Sequence, residues 1–281
     1  MDRVLFVLSP PRSFTSVVAA CIGRHPDVFA PPELKLFVAQ TMAEWLEIHE
    51  SGCNPGAHGL LRGVAQIYWG EQTEQTIDHA LAWVKERASL TTVAVFRELM
   101  DRVSPSWLLD KSHRIAVQPA ILARILSEFP DARFLHLIRH PVTTGQSMAS
   151  VSPFDPQQVW FTLHCHILEF LAPLTEAQKM RLRGEDVLAN PATHFRDVAR
   201  WLELDESDGA IERMLHPEQS PFANVGPANA RYGNAYSFLA QPNLRTLEGS
   251  PPSLDQPLIW RDHKSNLMPD VKTMAIDFGY N

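Results

Sequence analysis

Cysteine is scarce in this chain of 281 residues. Cys21, Cys53 and Cys165 are odd in number, scattered and free of CxxC spacing. Such a set excludes a disulfide framework and a cysteine zinc site, and it fits a reducing compartment. Long apolar runs are missing as well. No stretch approaches the roughly 20 apolar residues of a membrane span. The N-terminal run Val4–Leu8 is too short for a signal peptide and ends at once in Ser9-Pro10-Pro11-Arg12. A cytoplasmic protein is expected. Nor is there an excess of positive charge. The formal net charge of −7 argues against a general nucleic-acid binder, so an anionic ligand must be held by local groups. Repeats, low-complexity tracts and linkers are absent. The length fits one large α/β domain as readily as two small ones.

What the N-terminus does have is a short run of five apolar residues, which suits a strand buried on both faces. Pro10-Pro11 stops it, and Thr15 to Gly23 reads as a packed helix with Ser13 or Thr15 as N-cap. A strand, a tight polar turn and a helix N-terminus aim backbone N–H groups and a positive dipole end at one point, a geometry that suits an anion. Arg12 and the hydroxyls of Ser13, Thr15 and Ser16 add donors there. The alternative is an ordinary strand-to-helix turn. The turn lacks the glycines and lysine of GxxxxGK[ST], so an ordinary ATP or GTP site is not indicated.

Further along, Asp27–Ala30 is a short strand candidate, followed by Pro31-Pro32-Glu33-Leu34-Lys35. Glu33 stands on a stiff connection, and Lys35 reads as a solvated helix-start residue. Leu36–Ile48 has helical spacing, with Phe37, Trp45 and Ile48 as core. From about Leu60 to Met100 the pattern is helical, without chemistry of its own. Trp107–Asp110 is a second strand, with Lys111-Ser112-His113 at its end. Gln118–Phe129 is an amphipathic helix, Arg133–Arg139 a third strand, and Val142–Ser150 the next helix. Trp160–Leu171 is helical, Leu182–Val187 an edge strand, and Phe195–Leu204 a helix burying Trp201 and Leu202. His216–Arg245 is rich in Pro, Gly and Asn and has neither period. Its aromatics Phe222, Tyr232, Tyr236 and Phe238 suggest an ordered loop over a site. Asp270–Phe278 closes the chain as a helix. Strands alternating with helices predict a parallel sheet with ligands at its carboxyl edge, where Arg12, Lys111 and Arg139 all fall.

With these residues in place the chain resembles the sulfotransferases that use 3′-phosphoadenosine 5′-phosphosulfate (PAPS). Pro11-Arg12-Ser13-Phe14-Thr15-Ser16 is similar to that family's 5′-phosphosulfate loop, usually Pro-(Lys/Arg)-Ser-Gly-Thr-Thr. It departs at Ser16 and at Phe14, where glycine tolerates a positive φ that phenylalanine rarely adopts. Arg139 at a strand end, followed by Ser147 on the next helix, resembles the element that binds the 3′-phosphate. Pro32-Glu33-Leu34-Lys35-Leu36-Phe37 resembles the segment that carries a glutamate base in many members. Asp110-Lys111-Ser112-His113 resembles the Lys-Thr-His segment that others use. The 216–245 stretch is similar to sulfotransferase domains of bacterial polyketide pathways, which sulfate a β-hydroxyacyl chain on a carrier protein.

The resemblance implies a P-loop-NTPase-like three-layer α/β fold with a central parallel sheet. It also implies one domain over residues 1–281, with a helical cap at about 36–105 and an active-site loop at about 216–245. Its cosubstrate is PAPS, the product adenosine 3′,5′-bisphosphate, and the acceptor a hydroxyl of a small molecule, free or on an acyl carrier protein. Arg12, Ser13, Phe14, Thr15, Ser16, Arg139 and Ser147 bind the nucleotide; Lys111 supports the leaving oxygen. Either Glu33 or His113 takes the hydroxyl proton, with Glu33 preferred. No metal is implied, and no clustered carboxylates would hold one. A nucleotide-binding protein without transferase activity and a P-loop-like kinase stay open.

Overall fold

The computed structural model describes residues 2–245, 251–260 and 265–281. In chain order it runs β1 (Val4–Leu8), α1 (Thr15–Ile22) and β2 (Val28–Phe29), then α2 (Met42–Ile48), α3 (His58–Trp69), α4 (Glu74–Glu86) and α5 (Thr92–Val103). Next come β3 (Trp107–Asp110), α6 (Pro119–Glu128), β4 (Arg133–Ile138), α7 (Pro141–Ala149) and α8 (Pro156–Leu171). Last are β5 (Lys179–Arg183), α9 (Gly184–Ala189), α10 (Pro191–Trp201), α11 (Asp208–Met214), α12 (Tyr236–Ala240) and α13 (Pro269–Asp277).

The strands form one parallel sheet in the order β2-β3-β1-β4-β5, as the alternation of strands and helices predicts. All five residues of β1 are buried, and the period of two splits them between faces. Val4, Phe6 and Leu8 join a cluster with α3, α4, α5 and α6, where Phe6 lies 5.7 Å from Phe37 and 5.8 Å from Phe96. Leu5 and Val7 join the opposite cluster, with α1, α10 and α11. Full burial of such side chains contributes roughly 1.5–3 kcal/mol each, so β1 anchors both layers. From β1 the chain crosses to β2 and β3 on one side, then returns to β4 and β5 on the other. The topological switch therefore lies beside β1, and the carboxyl ends of β1, β3 and β4 open on one edge, where ligands bind in this architecture.

Several expectations shift. The run 36–48 is not one helix: a 3₁₀ turn at Leu36–Val38 gives way to extended Ala39, and α2 restarts behind the Thr41–Glu44 capping box. The break resets the helical phase, which leaves Phe37 and Trp45 buried but turns Ile48 out, 48% exposed. The edge strand lies at Lys179–Arg183 and not at 182–187, since Gly184 opens a short helix. The helix expected to reach Leu204 ends at Trp201, which stays half-buried and donates to the Ala177 carbonyl. Lys35 is no solvated helix start; it sits at φ 52° with its ammonium turned to Glu33. Finally, α1 is capped by Phe14 in the left-handed region, and neither Ser13 nor Thr15 caps it.

Candidate active site

The turn after β1 is unusual in its backbone. Arg12 has φ 69° and Phe14 φ 62°, both in the left-handed region that disfavours side chains. Such angles persist only where the surroundings over-determine them. At Phe14 the ring sits in a slot left by Gly184, where a Cβ would lie 2.4 Å from the phenylalanine Cδ2. The Arg139 guanidinium covers the ring at 4.1 Å. No side chain caps α1, so its first N–H groups stay open to an anion. The Ser13 hydroxyl is buried without a hydrogen-bond partner among the described residues, and Ser16 Oγ accepts from Ala235 N at 3.3 Å, tying the 216–245 segment to α1.

Arg12 and Arg139 meet across this turn. Arg139 Nη1 donates to the Arg12 carbonyl at 2.7 Å and its Nε to Thr143 Oγ1 at 3.1 Å, one helical turn along. Arg12 Nε donates to Ser147 Oγ at 2.8 Å, and its Nη2 to Ser237 Oγ at 3.4 Å. Thus β1, β4, α7 and α12 deliver their polar groups to one place. Neither arginine has a carboxylate within ion-pair distance among the described residues. Burial pulls the Arg139 guanidinium down to about 10, against the pull of the more distant Glu185. Two cations, three hydroxyls and an uncapped helix end suit an anion with more than one charged group.

Across the cavity stands Glu33. Its backbone is wedged between two glycines: Glu33 N donates to the Gly233 carbonyl at 3.0 Å, and a Cβ on Gly59 would lie 2.0 Å from the Glu33 carbonyl oxygen. Gly233 adopts φ 111°, which only glycine tolerates. The side chain accepts from His113 Nδ1 at 3.2 Å and faces Lys35 Nζ at 3.6 Å. Burial favours a neutral carboxyl here. The His113 hydrogen bond and the charges of His113, Lys111 and Lys35 outweigh it, and bring Glu33 from 4.5 down to about 2. The two segments that each offered a base are thus one hydrogen-bonded pair.

A buried relay holds that pair. Ser112 Oγ donates to Asp110 Oδ1 at 2.6 Å and accepts from Lys35 N at 2.9 Å, which fixes the Lys111–His113 turn against the Glu33–Lys35 turn. Burial lifts Asp110 to about 6 despite the Ser112 hydrogen bonds. Lys111 is buried, with no hydrogen-bond partner for its ammonium among the described residues; burial pushes its pKa down, against Glu33 and Asp110.

The cavity has a volume of about 740 Å³. Of the residues expected from the sequence, Arg12, Phe14, Thr15, Ser16, Glu33, His113, Arg139 and Ser147 line it, whereas Ser13 and Lys111 are buried and do not. The 216–245 segment supplies the far wall through Tyr232, Asn234, Ser237 and Arg245. Sequence reasoning missed what anchors that wall. Arg62 on α3, fully buried, donates to Gln72 Oε1 at 2.6 Å, Asn224 Oδ1 at 3.0 Å and the Tyr232 carbonyl at 3.2 Å. A charged residue on an otherwise buried helical face was its only sequence signal. Thr143, one turn after Arg139, carried none. Among the described residues no group of His, Cys, Asp and Glu is placed to hold a metal ion, and no helix is long and apolar enough to cross a membrane.

The chain is 22% identical over 228 residues to the nodulation protein NoeE of Sinorhizobium fredii (strain NBRC 101917 / NGR234), covering 80% of this chain and 50% of that protein. It therefore spans half the length of this curated relative. Its fold is that of the sulfotransferase domain from the curacin biosynthetic pathway (TM-score 0.80, 21% identity, 100% of this chain and 99% of that one). It is equally that of the sulfotransferase domain from the Synechococcus PCC 7002 olefin synthase (TM-score 0.81, 22% identity, 99% and 94%). Residues 5–208, which hold every site residue expected from the sequence, match the sulfotransferase family, and the chain belongs to it.

Proposed function

We propose that the protein transfers the sulfuryl group of PAPS to a hydroxyl of a small-molecule or carrier-bound acyl acceptor, releasing adenosine 3′,5′-bisphosphate. One observation carries this reading: a single cavity joins a two-arginine anion cradle at an uncapped helix end to a Glu–His pair on the opposite wall. The residues fit such a donor. The open N–H groups of α1, Arg12 and the orphaned Ser13 hydroxyl would hold the 5′-phosphosulfate; Arg139 and Ser147 would hold the 3′-phosphate.

In the reaction a bond forms between the acceptor oxygen and sulfur while the bond from sulfur to the bridging phosphate oxygen breaks. The leaving phosphate gains charge, which Arg12 and the buried Lys111 offset. The acceptor proton goes to the Glu–His pair. With His113 neutral, its hydrogen bond and the charges of Lys111 and Lys35 still favour an ionised Glu33, a poor proton acceptor at neutral pH. We therefore place proton transfer on His113 Nε2, which makes no hydrogen bond among the described residues, while Glu33 accepts from Nδ1 and fixes ring and tautomer. The sequence-based preference for Glu33 as base becomes an orienting role.

The acceptor side is walled by the 216–245 segment. Two proteins of the same fold belong to a biosynthetic pathway and an olefin synthase, which supports a biosynthetic acceptor such as a hydroxyacyl chain on a carrier. The test is incubation with PAPS and a panel of free and carrier-bound hydroxy compounds, following adenosine 3′,5′-bisphosphate, with ATP as control donor. Acceptor-dependent release from PAPS alone is expected. Binding of PAPS without turnover on any acceptor would leave a nucleotide-binding protein, and turnover of ATP a kinase.

A further inference from the structure

We propose that Phe14 is a positioning residue for the nucleotide: its ring seats the Arg139 guanidinium while leaving the charge free for a phosphate. This rests on the reading above, in which Arg139 meets the 3′-phosphate. The observations are independent of one another. Phe14 holds a left-handed φ of 62° that a phenylalanine resists, so something outweighs the strain. Its ring fills the slot over Gly184, which has no Cβ to block it. The Arg139 Cζ lies 4.1 Å from the ring centroid, the geometry of a cation–π contact.

What Arg139 lacks is as telling as what it touches. Its hydrogen bonds go to a hydroxyl and a carbonyl, both neutral. Glu185, the carboxylate whose charge acts on it, is turned to other partners: one oxygen accepts from His140 N at 2.9 Å, the other from the Tyr280 hydroxyl at 2.8 Å. A carboxylate would seat the arginine and cancel its charge. An aromatic face seats it and cancels little, because a ring quadrupole is a far weaker partner than a unit charge. Without the ring, a buried guanidinium loses one face and gains freedom to swing towards Glu185, where it would be neutralised.

Calorimetry with adenosine 3′,5′-bisphosphate and adenosine 5′-phosphate tests this. Phe14→Leu keeps an apolar filling over Gly184 and the same backbone strain, but removes the π face. It should weaken the 3′,5′-bisphosphate by about ten- to thirtyfold, the affinity equivalent of a desolvated cation–π contact, and leave the 5′-monophosphate within about threefold. Thermal stability should stay within a few degrees. Gly184→Ala, which pushes the ring off its seat, should mimic it. In a Phe14→Gly background, Gly184→Ala should change the bisphosphate affinity by only about twofold, because the coupling runs through the ring. Equal losses for both nucleotides in Phe14→Leu, wild-type affinity for both, or additive effects of the two substitutions would overturn the proposal. Arg139→Ala separates the two layers. If it loses the bisphosphate selectively while Phe14→Leu does not, only the role of Phe14 falls. If it weakens both nucleotides alike, the 3′-phosphate reading falls and this inference with it.

Discussion

Replacing Glu33 by glutamine tests electrostatics and catalysis together. The carboxyl is held at about 2 against an ordinary 4.5, because His113, Lys111 and Lys35 face it. A difference of that size corresponds to at most about 3 kcal/mol favouring the folded state, reached in full only while His113 is protonated. The group's pKa is depressed on folding. Its contribution is therefore present above the unfolded value near 4.5 and is lost as pH falls towards about 2. Glutamine keeps the shape but not the charge, and it leaves the unpartnered Lys111 ammonium facing only Asp110. At pH 7 the variant should melt below wild type by up to about 5–10 °C, the shift expected for about 3 kcal/mol in a chain of this size. Urea titrations from pH 7 down to pH 3.5 should show the gap closing below about pH 4.5. A gap that stays constant with pH, or none at pH 7, would refute the electrostatic account.

The same variant ranks the pair in turnover. The introduced glutamine would still offer an oxygen to His113 Nδ1–H, so turnover should fall less than in His113→Asn. The latter should lose roughly 10²–10⁴-fold, the usual contribution of a general base. His113→Asn near wild type, with Glu33→Gln inactive, would return the base to Glu33.

The geometry sets three further outcomes. Arg139→Ala and Ser147→Ala should each cost on the order of 1.5–3 kcal/mol in binding adenosine 3′,5′-bisphosphate and little for its 3′-dephospho analogue, as read by calorimetry. Gly59→Ala should cut turnover sharply, because its Cβ would strike the Glu33 carbonyl at 2.0 Å; unchanged kcat would mean that Glu33 is not held by that contact. The fully buried pair His136 and His164, hydrogen-bonded from Nε2 to Nδ1 at 2.9 Å, should make the protein acid-sensitive. Burial, with Arg181, lowers His136 to about 3, so the unfolded chain binds more protons below about 6.5. Stability should therefore fall between pH 6.5 and 5, by up to about 1.4 kcal/mol per pH unit for each histidine, and His164→Leu should flatten that slope.

The sheet and its carboxyl edge were legible because apolar runs ended by proline or polar residues leave few alternatives. Val4–Leu8 and Trp107–Asp110 match their strands to the residue. Arg12, Lys111 and Arg139 follow strands β1, β3 and β4, where the alternation of strands and helices puts them. Boundaries failed where the cause is tertiary. Ala39 breaks the run from Leu36 to Ile48 although its own propensity is helical, because Ala39 and Gln40 turn their carbonyls to Thr92. Arg62 was unreadable, since its partners stand up to 170 residues away.

Phe14 is the sharpest case. By local rules a phenylalanine does not belong where glycine supplies a positive φ, and the sequence alone marks it as a departure. Two distant residues reverse that judgement: Gly184 opens the slot and Arg139 closes over it. The strain that a glycine would avoid is held in place by contacts that a glycine cannot make. A departure from a motif at a strained position is thus better read as a prompt to look for the partners that compensate it.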